Sequence, residues 1–175
     1  MPDEPRRATL DLVEYSKRSQ SNPCFICKVI DGTHHVPHEV VYRDDNTIAM
    51  LNRFPTLLGY CLVAPIEHRV DVIRDFTESE YLRLQAVVRN VGVAISQAVP
   101  TERVYVMSLG SNQGNAHVHW HLVPLPPDTP YAEQQFAAVM LETAGALKIP
   151  DREKAALAAR VGQRMDRSQV DLARR

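Results

Sequence analysis

The stretch AHVHWHLVP, residues 116–124, sets His117, His119 and His121 at alternate positions with Val118, Trp120 and Leu122 between and after them. The chain has only seven histidines, so three within five residues form a cluster that asks for a reason. Strict alternation is the period of a β-strand, whose successive side chains point to opposite faces. The three imidazoles then share one face, while Val118, Trp120 and Leu122 face a core and fix the strand. Two residues of strand rise put neighbouring rings roughly 7 Å apart. That is too wide for all three to bind one small ion at about 2 Å without twisting the strand. It suits a phosphate group better, with the middle ring attacking phosphorus and a neighbour donating hydrogen bonds. Neutral imidazole is abundant near pH 7, and the phosphoramidate it forms is readily hydrolysed. The competing reading is the wet face of an edge strand.

The segments around this strand set the fold class. EVVYR and TIAMLN, separated by Asp44-Asp45-Asn46, read as a hairpin, and GYCLVAPI as a third strand. RVYVMSLG is a fourth strand, joined through the polar loop GSNQGN to the histidine strand as the fifth. Between the third and fourth runs TESEYLRLQAVVRNVGVAISQAV, a helix that Thr77 and Glu80 open with a capping box and Pro100 stops. Leu82, Val87, Val91 and Ile95 are its expected sheet-facing residues. A short helix is expected over 8–19, with Leu10, Leu12, Val13 and Tyr15 as its apolar residues; CFICKVI is ambiguous between helix and strand. YAEQQFAAVMLETAGAL and the segment after Pro150 read as helices. Strands, one long helix, more strands and then helices predict an α+β domain: an antiparallel sheet of about five strands, the long helix packed on it, and C-terminal helices. The expected organisation is an N-terminal extension over 1–21, a central domain over 22–130 and a helical extension over 131–175.

Lys and Arg number 20 against 21 Asp and Glu, so no bulk field steers the chain to nucleic acid or an anionic surface. There is no apolar run of membrane-spanning length and no apolar stretch of a secretory signal near Met1, so a cytoplasmic protein is expected. Three cysteines without such a signal argue against a disulfide framework. Cys61 reads as a buried strand thiol, whereas Cys24 and Cys27 form a C-x2-C pair that would need two further ligands for a closed zinc site. His34, His35 and His38 in THHVPHE read as solvated loop residues that compete as ligands.

HVHWHLV resembles the signature of the histidine triad (HIT) family, His-φ-His-φ-His-φ-φ with φ apolar. CFICKVIDG, Pro37, VVYRDD and IAMLN resemble the N-terminal half of HIT domains, and GYCLVAPIEHRVDVI resembles the strand that ends in proline with a histidine about three residues on. Together these cover roughly residues 22–125. The resemblance implies a HIT-like fold and a homodimer. It makes His119 the nucleophile that attacks the α-phosphorus of a nucleotide, His121 a phosphate contact, and His117 a residue that orders the site. A histidine at the third position points to the hydrolase side rather than the nucleotidyltransferase side. Some members bind structural zinc through positions that are here Cys24, Cys27, His68 and His117. Asn52 falls at a polar ribose or base position, and Asn112 and Gln113 fall in the loop that contacts phosphate. The implied partner is a nucleotide or nucleotide conjugate. Two departures stand out: Tyr60 follows Gly59 where many members have histidine, and Leu125 follows Pro124 where many have arginine. The alternatives are a catalytically weak nucleotide-binding HIT protein that acts through a partner, and a zinc hydrolase with the triad as ligands.

Overall fold

The computed structural model describes residues 6–9, 11–21, 23–109 and 116–173. In chain order these form β1 (Arg7–Ala8), α1 (Leu12–Ser21), α2 (Phe25–Ile30), β2 (Val40–Arg43), β3 (Thr47–Leu51), β4 (Cys61–Pro65) and α3 (Glu78–Ala98). There follow β5 (Arg103–Met107), β6 (Trp120–Leu125), α4 (Phe136–Val139), α5 (Leu141–Ala144), β7 (Ala146–Leu147) and α6 (Asp151–Ala173). The main sheet is antiparallel, five-stranded and ordered β2-β3-β4-β6-β5. No helix among the described residues is long and apolar enough to cross a membrane.

Both faces of this sheet are covered, which explains why β3 and β4 are buried along their whole length. On one face α3 and α6 pack on Ala49, Val63, Trp120 and Leu122. On the other, Ile26 of α2 joins Ile48, Met50, Tyr60, Leu62, Ala64 and Val123. The capping box opens α3 as expected: the Thr77 hydroxyl accepts from the Glu80 amide, and the Glu80 carboxylate accepts from the Thr77 amide. The buried stripe runs through Leu84, Val88, Val91, Ala94 and Ile95, with Val87 at its margin. Leu82 does not face the sheet; it is 59% exposed. At 100° per residue it lies about 200° from Leu84, on the opposite side of the helix.

Trp120 fills the same core, with its ring 6.1 Å from those of Phe76 and Tyr81. Trp120→Ala is expected to cost about 3–5 kcal/mol by the lost burial and the cavity left behind. Chemical denaturation should show this as a lower midpoint at an unchanged slope.

The chain ends depart most from the sequence reading. The expected first helix starts only at Leu12, because Arg7 and Ala8 pair antiparallel with Leu147 and Ala146. Val13, expected on the apolar face of that helix, is exposed, and Leu10 lies outside the described residues. The segment read as one helix over 131–147 is instead a 3-10 turn, α4, α5 and β7, broken where Gln135 and Gly145 take positive φ. Tertiary bonds override the local pattern: the Gln135 amide donates to the Tyr105 hydroxyl, Leu147 N–H to Pro55 O and Lys148 N–H to Arg6 O. The last helix, α6, contributes Leu157, Ala158, Val161 and Met165 to the α3 core. Gly162 permits its close approach to β2, since a Cβ there would stand 3.2 Å from the Val41 carbonyl oxygen.

Candidate active site and metal centre

The C-x2-C pair sits at the start of α2. Cys24 is the N-cap, and its sulfur accepts from the Cys27 amide at 3.5 Å. Residues three apart at a helix start lie on one side, so both thiols face the same point. The segment after β4 brings His68, and the chain entering β6 brings His117. The Cys24 and Cys27 sulfurs stand 3.6 and 3.5 Å from His117 Nδ1, and the Cys27 sulfur 3.2 Å from His68 Nδ1. All four ligand atoms lie within 4.8 Å of one another. Two sulfurs and two nitrogens around one tetrahedral zinc would stand about 3.4–3.8 Å apart, so the donor set fits that ion in chemistry and spacing. His117 is fully buried, and its Nε2 donates to the Pro65 carbonyl at 2.9 Å. That bond puts the ring proton on Nε2 and turns the Nδ1 lone pair toward the thiols, an arrangement common behind metal-binding imidazoles. Burial, with the neighbouring Cys24 sulfur, pushes the Cys27 thiol up to about 11. Two thiols this close ionise together only if a cation compensates them.

The other two imidazoles turn to the α2 face of the sheet. His119 is buried, and its Nδ1–H donates to the His117 carbonyl at 2.7 Å, leaving the Nε2 lone pair free. Burial holds its pKa below the ordinary histidine value. The His121 ring lies 4.7 Å from the His119 ring, closer than the roughly 7 Å that a regular strand would give. The regular strand begins only at Trp120, so His117 and His119 sit on the irregular chain leading into it, and His119 leans on its own backbone bond. His117 has separated from the other two, facing the cysteines. Among the described residues the one cluster able to hold an ion takes only His117 from the triad, which removes the geometric basis for a metal bound by all three.

Residues 33–128 match the HIT domain. The chain belongs to the HIT family. It is 30% identical over 105 residues to an uncharacterized HIT-like protein of Methanocaldococcus jannaschii, covering 58% of this chain and 78% of that one. An uncharacterized HIT-like protein of Saccharolobus solfataricus is 28% identical over 104 residues, 58% of this chain and 73% of that one. The fold of this HIT protein is similar to that of a hypothetical histidine triad nucleotide-binding protein from Sulfolobus tokodaii, with a TM-score of 0.65 and 22% identity over 82% of this chain and 93% of that one. It is also similar to a Zn-bound histidine triad family protein from Mycobacterium smegmatis, with a TM-score of 0.60 and 22% identity over 86% and 96% of the two chains.

Of the remaining expected site residues, Asn112 and Gln113 lie outside the described residues. Asn52 stands just beyond β3, its Oδ1 accepting from the Phe54 amide at 2.9 Å and its backbone N–H donating to the Tyr60 carbonyl at 2.8 Å. Tyr60 reaches His121, with its hydroxyl 2.7 Å from Nδ1. Gly59 makes that placement possible: its φ is +88°, and a Cβ would come within 3.0 Å of Val99. His34, His35 and His38 stay out of the metal cluster: His34 stacks on His35 and meets His38 edge-on, and His38 stacks on Phe25. Two side chains at the triad carried no sequence signal of their own. Phe25, inside CFIC, sets its ring edge-on 6.4 Å from His119, and the Ser108 hydroxyl donates to the His119 carbonyl at 2.9 Å. The first contact joins positions far apart in the chain, and the second crosses between the ends of the paired strands β5 and β6.

Proposed function

We propose that this HIT protein is a nucleotide phosphohydrolase or nucleotidyltransferase that acts at the α-phosphorus of a nucleotide conjugate through a covalent nucleotidyl-His119. The observation that carries this reading is the His119 Nδ1–H bond to the His117 carbonyl, which leaves Nε2 as an available nucleophile beside a second imidazole. The Nε2 lone pair forms the P–N bond while the bond to the leaving group breaks, and the leaving group departs with that electron pair. Water then forms a P–O bond as the P–N bond breaks, and releases its proton; in transfer, another acceptor takes the place of water. His121 contacts the phosphate oxygens. Family membership and the likeness of fold to a histidine triad nucleotide-binding protein support the substrate class.

Zinc at Cys24, Cys27, His68 and His117 belongs to the same reading as a structural ion, supported by the ligand spacing. Its contribution when bound is to cross-link α2, the segment after β4 and the approach to β6. His117 would then hold its carbonyl firmly under His119.

Incubation with an adenosine 5′-phosphoramidate or a dinucleoside polyphosphate, labelled at the α-phosphorus, tests the reaction. A quench in alkaline denaturant should leave label on the protein, and acid should release it as the nucleoside monophosphate. Nucleotide binding with neither turnover nor trapped label would overturn the proposal and leave a binding protein.

A further inference from the structure

We infer that Asn52 and Tyr60 are positioning residues for the proposed reaction: their hydrogen-bond chain holds His121 with its proton on Nε2, as a neutral donor to a phosphate oxygen. This inference rests on the function proposed above and assigns Asn52 a role through Tyr60 rather than through direct contact with substrate.

The polarity of the chain is fixed at its far end. The Phe54 backbone N–H can only donate, so the Asn52 oxygen must be the atom that accepts it at 2.9 Å. The Asn52 amide nitrogen is thereby the group left to face Tyr60; burial raises the Tyr60 hydroxyl and Asn52 pulls it down, as a donor to the phenol oxygen does. With that oxygen accepting, the single phenolic hydrogen goes to His121 Nδ1, 2.7 Å away. A neutral imidazole that accepts at Nδ1 keeps its hydrogen on Nε2. Two features keep this polarity from reversing. Tyr60 is buried, which holds its hydroxyl protonated well above the usual phenol range. Burial, together with the His119 ring beside it, holds His121 down to about 3, so its ring is neutral near pH 7.

The loop that carries both residues is tied to itself, because the Asn52 backbone N–H donates to the Tyr60 carbonyl at 2.8 Å. Side-chain and backbone bonds therefore move as one unit. The outcome is a complementary pair of rings. His119 gives its Nδ1 hydrogen to a carbonyl and offers a lone pair at Nε2, whereas His121 accepts at Nδ1 and offers a hydrogen at Nε2. Nucleophile and donor thus stand side by side. If both rings presented lone pairs, they would repel the phosphate oxygens.

The test uses the full chain labelled with ¹⁵N in histidine and read by two-bond ¹H–¹⁵N correlation spectra, with His121→Gln assigning the resonance. The expected wild-type pattern is an unprotonated Nδ1 and a protonated Nε2 at His121. Tyr60→Phe, and to a lesser degree Asn52→Ala, should convert it to a mixture of tautomers. Tyr60→Phe should also lower kcat by roughly ten- to a hundredfold with KM little changed, the scale usual for losing a partner that orients a functional imidazole. A proton on Nδ1 in the wild type overturns the inference without any variant. An unchanged spectrum in both variants, or a changed tautomer with kcat intact, overturns it as well. The spectra need no substrate, so they stand apart from the trapping experiment: absence of a labelled His119 would sink the proposed reaction and leave the tautomer result intact.

Discussion

His119→Ala is expected to abolish covalent labelling and to lower turnover by about 10⁴-fold or more, on the scale seen when a covalent nucleophile is removed. No other described group is placed to take over. His121 is the nearest imidazole, 4.7 Å away between ring centres, but its Nδ1 is engaged by Tyr60. His117 is turned away, with Nε2 on the Pro65 carbonyl and Nδ1 toward the cysteines. The substitution removes one hydrogen bond to a backbone carbonyl and leaves a small void at the pocket. A fold-wide collapse should therefore not accompany the loss. Circular dichroism and nucleotide affinity close to wild type, with turnover gone, are the expected combination. Residual turnover within tenfold of wild type would remove His119 from the reaction.

The second large effect is expected at the metal centre. Purified protein should carry about one zinc per chain, consistent with two thiols and two imidazoles at tetrahedral spacing. Cys27→Ser should lose it, because Cys27 touches both histidines of the set and an alcohol is a poor zinc ligand. An ion that binds only the folded chain adds about 4 kcal/mol when its free concentration is a thousand times Kd. For a chain of this size that amounts to a fall in Tm of roughly 8–16 °C on losing the site. Chelation of the wild type should give a similar fall, and chelation of the variant none. Activity should drop in parallel, because His117 supplies the carbonyl that holds His119 Nδ1. Full zinc content in the variant would show that the ion is held elsewhere.

These expectations draw on two levels of information. The alternation in AHVHWHLVP is local, and the structure keeps its consequence: Val118, Trp120 and Leu122 are buried on the helix side, while His119 and His121 turn to the other face. The capping box at Thr77 and Glu80 is local too and opens α3 where expected. The four candidate metal donors were named through the resemblance of short patterns to the HIT family, and the structure brings them within 4.8 Å of one another, a distance that the patterns themselves do not give. Leu82 misled because a long helix with apolar residues at several phases does not announce which stripe the sheet will select.

The sequence by itself determined the order of the five sheet strands and α3 and the common face of His119 and His121, because side-chain period is a short-range property of the chain. Tertiary structure alone decided the tasks within those groups. The Pro65 carbonyl, 52 positions before His117, and the Tyr60 hydroxyl, 61 before His121, choose which ring nitrogen carries each proton. Arg7 and Ala8 likewise become strand only because Ala146 and Leu147 arrive beside them. Contacts across such separations depend on how β4, β6 and the chain ends are packed together, and no local pattern encodes that packing.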